Sequence, residues 1–322
     1  MRDWLAVEDT PRSMVNTPAH FLYAKITADT ARLLKLPDEA AEFDLKAEKI
    51  RVNYNSAFLD PATGIYGMAG VPVKHGNARV YKKLEDLHQI WWTGDRACTQ
   101  AGQILPLALG MVPPESQKVV EAALLKEVQA HKGNLSTGFV STPFLLDVLE
   151  ELDSEAAWKM VAKQDYPSWY SMTKGSGNDL LMENWGGGQA IMPSCGGIIG
   201  NWCYAKLGGI RPDPSGPGFK KILIKPAVVS GVDWVECSHD SPYGKIISNW
   251  RRTGGELVMD VTIPPNTTAR VVVPGQSKPE ITADGRPLPA ETLLKCLEAS
   301  AKVTAWSVPA GHFRFTVSNV AN

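Results

Sequence analysis

The hydrophobic periodicity of this chain changes once, and no other feature constrains its fold as tightly. Up to about residue 210, apolar residues recur in steps of three and four; beyond the Pro- and Gly-rich stretch 212–218 they recur in steps of two. A 3.6-residue period buries one stripe of a helix, whereas a period of two buries one face of a strand. The two segments therefore need separate cores. The expected order is a helical region followed by a β region, with the boundary near residues 210–217.

In the helical region, Thr17-Pro18 offers an N-cap and a proline for the first helical position, opening a helix that runs to Leu34. Phe43, Ala47, Ile50, Tyr54, Ala57 and Phe58 make one stripe on a second helix, which Asp60-Pro61-Ala62-Thr63-Gly64 ends. Further helices are expected over 97–109, after Pro113-Pro114 with Val119, Val120, Ala123, Leu124 and Val128 inward, from Thr142-Pro143 through Leu152, and over 200–207. Successive helices without intervening strands fit an α/α toroid or an α-solenoid, and the lack of a strict repeat disfavours the solenoid. Strands are expected over 221–225, 233–237, 245–251, 257–263, 269–273, 303–308 and 312–317, separated by Gly, Pro and Asn turns as in an antiparallel sandwich.

Charge narrows the partners. Lys and Arg number 33 against 34 Asp and Glu, so no net field draws the chain to nucleic acid or to an anionic membrane. No apolar run reaches the roughly 20 residues of a membrane span. The segment from Met1 to Leu5 lacks the apolar core of a secretory leader, which favours the cytoplasm if Met1 is the true start. Five scattered Cys and six His show no metal-type spacing, so neither metal nor cofactor is expected, and His20, His75, His131, His239 and His312 read as structural or solvated. Ten Trp suit sugar binding, since indole faces stack on sugar rings, but they suit a core equally.

Glycoside hydrolysis needs two carboxyl groups flanking the scissile bond. One conspicuous candidate is Glu183 in Met182-Glu183-Asn184-Trp185-Gly186-Gly187-Gly188, where a carboxylate beside a Trp and ahead of three glycines can meet a sugar ring at an open rim. A surface Glu before a glycine turn has the same composition, so this pattern alone leaves both readings open. Asp179, four residues earlier, is a second carboxylate or a cap.

The order of the motifs adds a resemblance. Leu135-Ser136-Thr137-Gly138-Phe139, Tyr166-Pro167-Ser168-Trp169 and Leu181-Met182-Glu183-Asn184-Trp185 resemble successive elements of the α-L-rhamnosidase family. Gly200-Asn201-Trp202, the stretch from Leu207 to Asp213, and Pro217-Gly218-Phe219-Lys220 look like that family's exit from barrel to sandwich; Ser241-Pro242-Tyr243-Gly244, Trp250, the run from Pro264 to Thr268 and Val271-Val272-Val273-Pro274 look like its sandwich strands. The resemblance implies a partial six-fold α/α barrel over 1–212 and a C-terminal antiparallel β-sandwich over 213–322. It implies hydrolysis, with inversion, of terminal α-L-rhamnosyl residues on a glycoside or oligosaccharide. Glu183 aligns with the family's general base, which deprotonates the attacking water. Asp3-Trp4-Leu5 resembles its Gly-Asp-Trp element, and Trp4, Trp169 and Trp185 are expected to line one sugar pocket with Glu183.

Two departures qualify the resemblance. The family's acid motif lies upstream of its Gly-Asp-Trp element. Trp92-Thr93-Gly94-Asp95 copies only the end of that motif, with His88 where the acid would fall, and the match reads as coincidence because the stretch from Thr99-Gln100 to Pro113 resembles a later helix of the barrel. Pro193 stands where many members carry an Asn-His pair that contacts sugar. The expectation is an incomplete hydrolase, with a second polypeptide as one way to complete the barrel. A non-catalytic carbohydrate-binding protein is the rival; another toroid enzyme, a glucosidase or polysaccharide lyase, fits the ordered motifs less well.

Overall fold

The computed structural model describes residues 3–67, 98–176, 180–186, 193–275, 278–288 and 294–318. The sequence features at His75, His88, Trp92 to Asp95, Asp179, Gly187 and Gly188 lie outside these residues. The chain forms two compact units, Met1–Ile198 and Ile199–Asn322.

The first unit is helical. Its described helices are α1 (Arg12–Leu33), α2 (Pro37–Phe58), α3 (Gln100–Ala108), α4 (Gln117–Ala130), α5 (Thr142–Leu152), α6 (Ser154–Val161), α7 (Trp169–Ser176) and the start of α8 (Pro193–Trp202). Helices α1 and α2 pack together, and α3 packs on α1, α4 and α5. One core joins Met14, Phe21 and Ala24 of α1 to Ala47, Tyr54 and Phe58 of α2, with Tyr66, Met111 and Val120.

Helix α1 starts earlier than the Thr17-Pro18 signal suggests, so Pro18 lies inside it. Proline there has no N–H to give the Met14 carbonyl one turn back. The buried Tyr54 hydroxyl donates to that carbonyl instead, at 3.2 Å, which lets the helix pass through the proline. In α2 the expected stripe holds except at Ala57, which is exposed. Helix α3 is capped by Thr99, whose Oγ1 accepts from Gly102 N at 3.1 Å.

The second unit is a sandwich of two sheets. One has the order β1-β2-β7-β11-β10, and the other β3-β5-β6-β12-β8-β9 with β4 paired to β5. The strands are β1 (Ile210–Pro212), β2 (Lys221–Ile224), β3 (Trp234–Val235), β4 (Ser238–Ser241), β5 (Gly244–Thr253), β6 (Glu256–Ile263), β7 (Thr268–Pro274), β8 (Glu280–Ala283), β9 (Arg286–Pro287), β10 (Lys295–Ala299), β11 (Val303–Val308) and β12 (Gly311–Ser318). Strand β6 shows why alternation is informative: Leu257, Met259, Val261 and Ile263 are all buried, and the residues between them are less so. They share a core with Ile222, Ile224, Val271, Val273, Trp306 and Val308 of the facing sheet. Among the pairings, β2 runs parallel to β7, so the sandwich is not wholly antiparallel. The Trp250 indole donates to the Leu207 carbonyl at 2.8 Å, tying β5 to the chain just before β1.

Candidate active site

Segment 3–8 and the loop 134–141 meet although about 130 residues separate them in sequence. Asp3, 3% exposed, organises the meeting. Its carboxylate accepts from the backbone N–H groups of Gly138 at 2.8 Å, Val140 at 2.9 Å and Ser141 at 3.1 Å. The Ser141 hydroxyl donates to it as well. Burial pushes the Asp3 pKa up, against the pull of these donors. In return, Phe139 N donates to the Trp4 carbonyl at 2.8 Å, and Val7 N and Glu8 N both donate to the Ser136 carbonyl at 3.1 Å. Contact is so close that a Cβ on Gly138 would lie 2.4 Å from Trp4 O and 2.6 Å from Ala6 N. That explains the glycine of the Thr-Gly-Phe turn.

This clamp holds Trp4 outward. Its side chain is half exposed, and its indole Nε1 donates to Glu183 Oε1 at 3.1 Å. Glu183 is half-buried in a turn that Asn184 shapes, its Oδ1 accepting from Gly186 N at 2.9 Å. Next to it, Trp185 is buried and its Nε1 donates to the Thr137 carbonyl at 3.0 Å. The Trp185 ring meets Trp169 edge-on, with centroids 5.3 Å apart and planes at 87°. Trp169 opens α7, where Ser168 and Ser171 cap each other: each Oγ accepts from the other's backbone N–H at 3.0 Å.

The four residues singled out in the sequence thus belong to one constellation, but they differ in access. Trp4 and Glu183 reach solvent. Trp169 and Trp185 are each only 3% exposed, so they support the rim rather than present ring faces to it. An indole N–H on a carboxylate beside an accessible aromatic face can orient a water molecule and a sugar ring together. Sequence reasoning placed Asp3 and Thr137 in named motifs without giving them a role, and it did not single out Ser141. Asp3 works through backbone N–H groups, and Ser141 through the Asp3 carboxylate, each across more than 130 residues, which no local spacing reveals. Of the histidines, His239 lies against the Phe219 ring and His312 contacts Thr262.

A helical unit carrying an accessible glutamate and tryptophan, followed by a two-sheet sandwich, defines the class: a hairpin-type glycosidase domain with a C-terminal β domain. Residues 1–207 match the bacterial alpha-L-rhamnosidase 6 hairpin glycosidase domain, and residues 209–286 match the bacterial alpha-L-rhamnosidase C-terminal domain. The chain belongs to the bacterial α-L-rhamnosidase family. It is 27% identical over 289 residues to an alpha-L-rhamnosidase of Formosa agariphila, covering 86% of this chain and 28% of that protein. It is 28% identical to one of Streptomyces avermitilis, covering 84% of this chain and 24% of the relative. The chain therefore spans about a quarter of the length of these curated relatives. Its fold is that of the Streptomyces avermitilis alpha-L-rhamnosidase complexed with L-rhamnose, at TM-score 0.77 and 24% identity over 98% of this chain and 28% of that one. The Dictyoglumus thermophilum enzyme gives 0.76 and 22%, over 98% of this chain and 34% of that one.

Proposed function

We propose that this chain carries the base side of an α-L-rhamnosidase site, hydrolysing terminal α-L-rhamnosyl residues with inversion. The working assignment of domains is 1–212 for the barrel portion and 213–322 for the sandwich. Glu183 takes a proton from the attacking water. Trp4 offers its ring to the sugar and its N–H to the Glu183 carboxylate, while Trp169 and Trp185 hold the turn that carries Glu183. The hydrogen bond from Trp4 to Glu183, across 179 positions of sequence, is the observation that carries this reading. An inverting hydrolase keeps its acid and base about 6.5–9.5 Å apart so that water fits beside the sugar. The acid is supplied from beyond these 322 residues, by chain upstream or by a second polypeptide that completes the barrel.

General acid assistance is worth roughly 10²–10⁴-fold, and least where the leaving group needs no proton. The purified chain should therefore cleave natural rhamnosides negligibly and an activated aryl rhamnoside slowly. Glu183→Gln, nearly isosteric but unable to take a proton from water, should abolish aryl-rhamnoside cleavage with far-UV ellipticity unchanged. Equal rates for wild type and variant would remove Glu183 from the mechanism. Brisk cleavage of a natural rhamnoside would place an acid within these residues. The rival reading, sugar binding without catalysis, is favoured by the missing acid motif; it predicts saturable L-rhamnose binding and no turnover of either substrate.

A further inference from the structure

Segment 3–8 carries a second buried carboxylate, and its surroundings differ from those of Asp3. Glu8 is 4% exposed, and one ligand atom each from Glu8, Glu127 and His131 lie within 4.8 Å of one another. His131 follows the last turn of α4, and its Nδ1 sits 2.8 Å from the Glu127 carbonyl. A carbonyl can only accept, so Nδ1 carries the hydrogen, and in the neutral ring Nε2 is left with its lone pair. That Nε2 faces Glu8 Oε2 at 3.6 Å. Two acceptors facing each other in this position can share a cation, either a proton or a metal ion.

The distance discriminates between the two. A charge-assisted N–H···O bond would close to about 2.7–2.9 Å. Two ligands of a tetrahedral ion with bonds of about 2.0–2.1 Å stand roughly 3.3 Å apart. The observed 3.6 Å lies nearer the second value. The outer contacts fit as well. Metal-bound imidazoles usually give their other N–H to a carbonyl or carboxylate, as His131 does here. The Ser136 hydroxyl donates to the same Glu8 oxygen at 3.1 Å.

We propose that Glu8, Glu127 and His131 form a binding site for one divalent transition-metal ion of the zinc type. An imidazole nitrogen among the ligands disfavours calcium and magnesium, which take oxygen. The ion joins segment 3–8 to the end of α4, beside the Ser136 carbonyl that already receives Val7 N and Glu8 N. Its role is to brace the base of the Trp4 clamp, and it stands independently of the catalytic reading. The sequence reading took His131 as structural or solvated; Glu127, four residues before it, stands at the same helix end, and Glu8 comes to them only by folding.

The test uses the full, tag-free chain stripped with a chelator and titrated calorimetrically with zinc, with cobalt as a visible-absorption probe of the ligands. One equivalent should bind and raise the midpoint of thermal unfolding. Glu127→Gln, a near-isosteric change at a partly exposed position, and His131→Gln should each weaken binding at least about tenfold. Both variants should keep the wild-type far-UV ellipticity. No saturable zinc binding by the stripped chain, or undiminished binding by Glu127→Gln, would overturn the site, and a proton would then account for the Glu8–His131 contact.

Discussion

At Gly138 the missing side chain is a packing requirement, because a methyl group would strike three backbone atoms of residues 3–6 that have no rotamer to change. Gly138→Ala should therefore destabilise the helical unit by about 1–3 kcal/mol, read as a lower urea midpoint in helical ellipticity. An unchanged midpoint would mean that segment 3–8 is not clamped there. Asp3 makes the same clamp sensitive to pH. Its native pKa is raised, so the folded state holds a proton at pH values where the unfolded state has lost it. The stability this contributes is full below the ordinary aspartate pKa and is lost as pH rises through the native value. The midpoint difference between wild type and Asp3→Asn should accordingly narrow as pH increases across that window; a difference that widens would contradict the direction. The contrast between Trp4 and Asp3 shows what was legible at this scale. Trp4, Glu183 and Asp3 all stand in recognisable motifs, but the role of Asp3 is played through backbone N–H groups, which any residue except proline can supply.

Among the elements, Pro18 is where local reading and structure part. A Thr-Pro pair is a sound helix start by capping rules, yet α1 runs through it because Tyr54 on α2 takes over the orphaned Met14 carbonyl. That substitution is testable as a pair. Tyr54→Phe leaves a buried carbonyl without its donor and should cost about 1–3 kcal/mol. Adding Pro18→Ala restores the N–H one turn on and should recover much of the loss, giving a coupling energy that a double-mutant cycle measures. Additive losses would show that the hydroxyl and the missing N–H are unrelated. In the sandwich, the strands with alternating buried residues were legible, since alternation reports burial of one face. Strand β10 was not: all five of its residues are exposed at the edge of its sheet, and a bulge interrupts its pairing with β11. An edge strand guarded by Lys295 and Glu298 carries no apolar period to read.

For the molecule as a whole, the helical unit presents large apolar side chains to solvent on α1 and α2. Tyr23, Ile26 and Leu33 are spaced to share one face of α1 and are 67%, 52% and 85% exposed; Leu45 and Val52, seven apart on α2, are 73% and 51% exposed. Helix α1 has no apolar residue that must lie outward for its own packing, because Met14, Phe21, Ala24, Ala28 and Ala31 already supply its buried stripe. The family domain that residues 1–207 match is named for six hairpins, and the cover we propose for this face is the rest of that helical ring. Alone, the chain should bind an apolar dye and associate with rising concentration in sedimentation velocity, since contiguous exposed apolar patches beyond a few hundred Å² mark interaction surfaces. Leu33→Lys combined with Leu45→Lys should reduce both signals. Neither residue is buried, so the helical ellipticity and urea midpoint should hold within about 0.5 kcal/mol per site. A chain that stays monomeric at all concentrations and binds no dye would show that this face needs no cover, and would leave the proposed completion of the barrel without support from the surface.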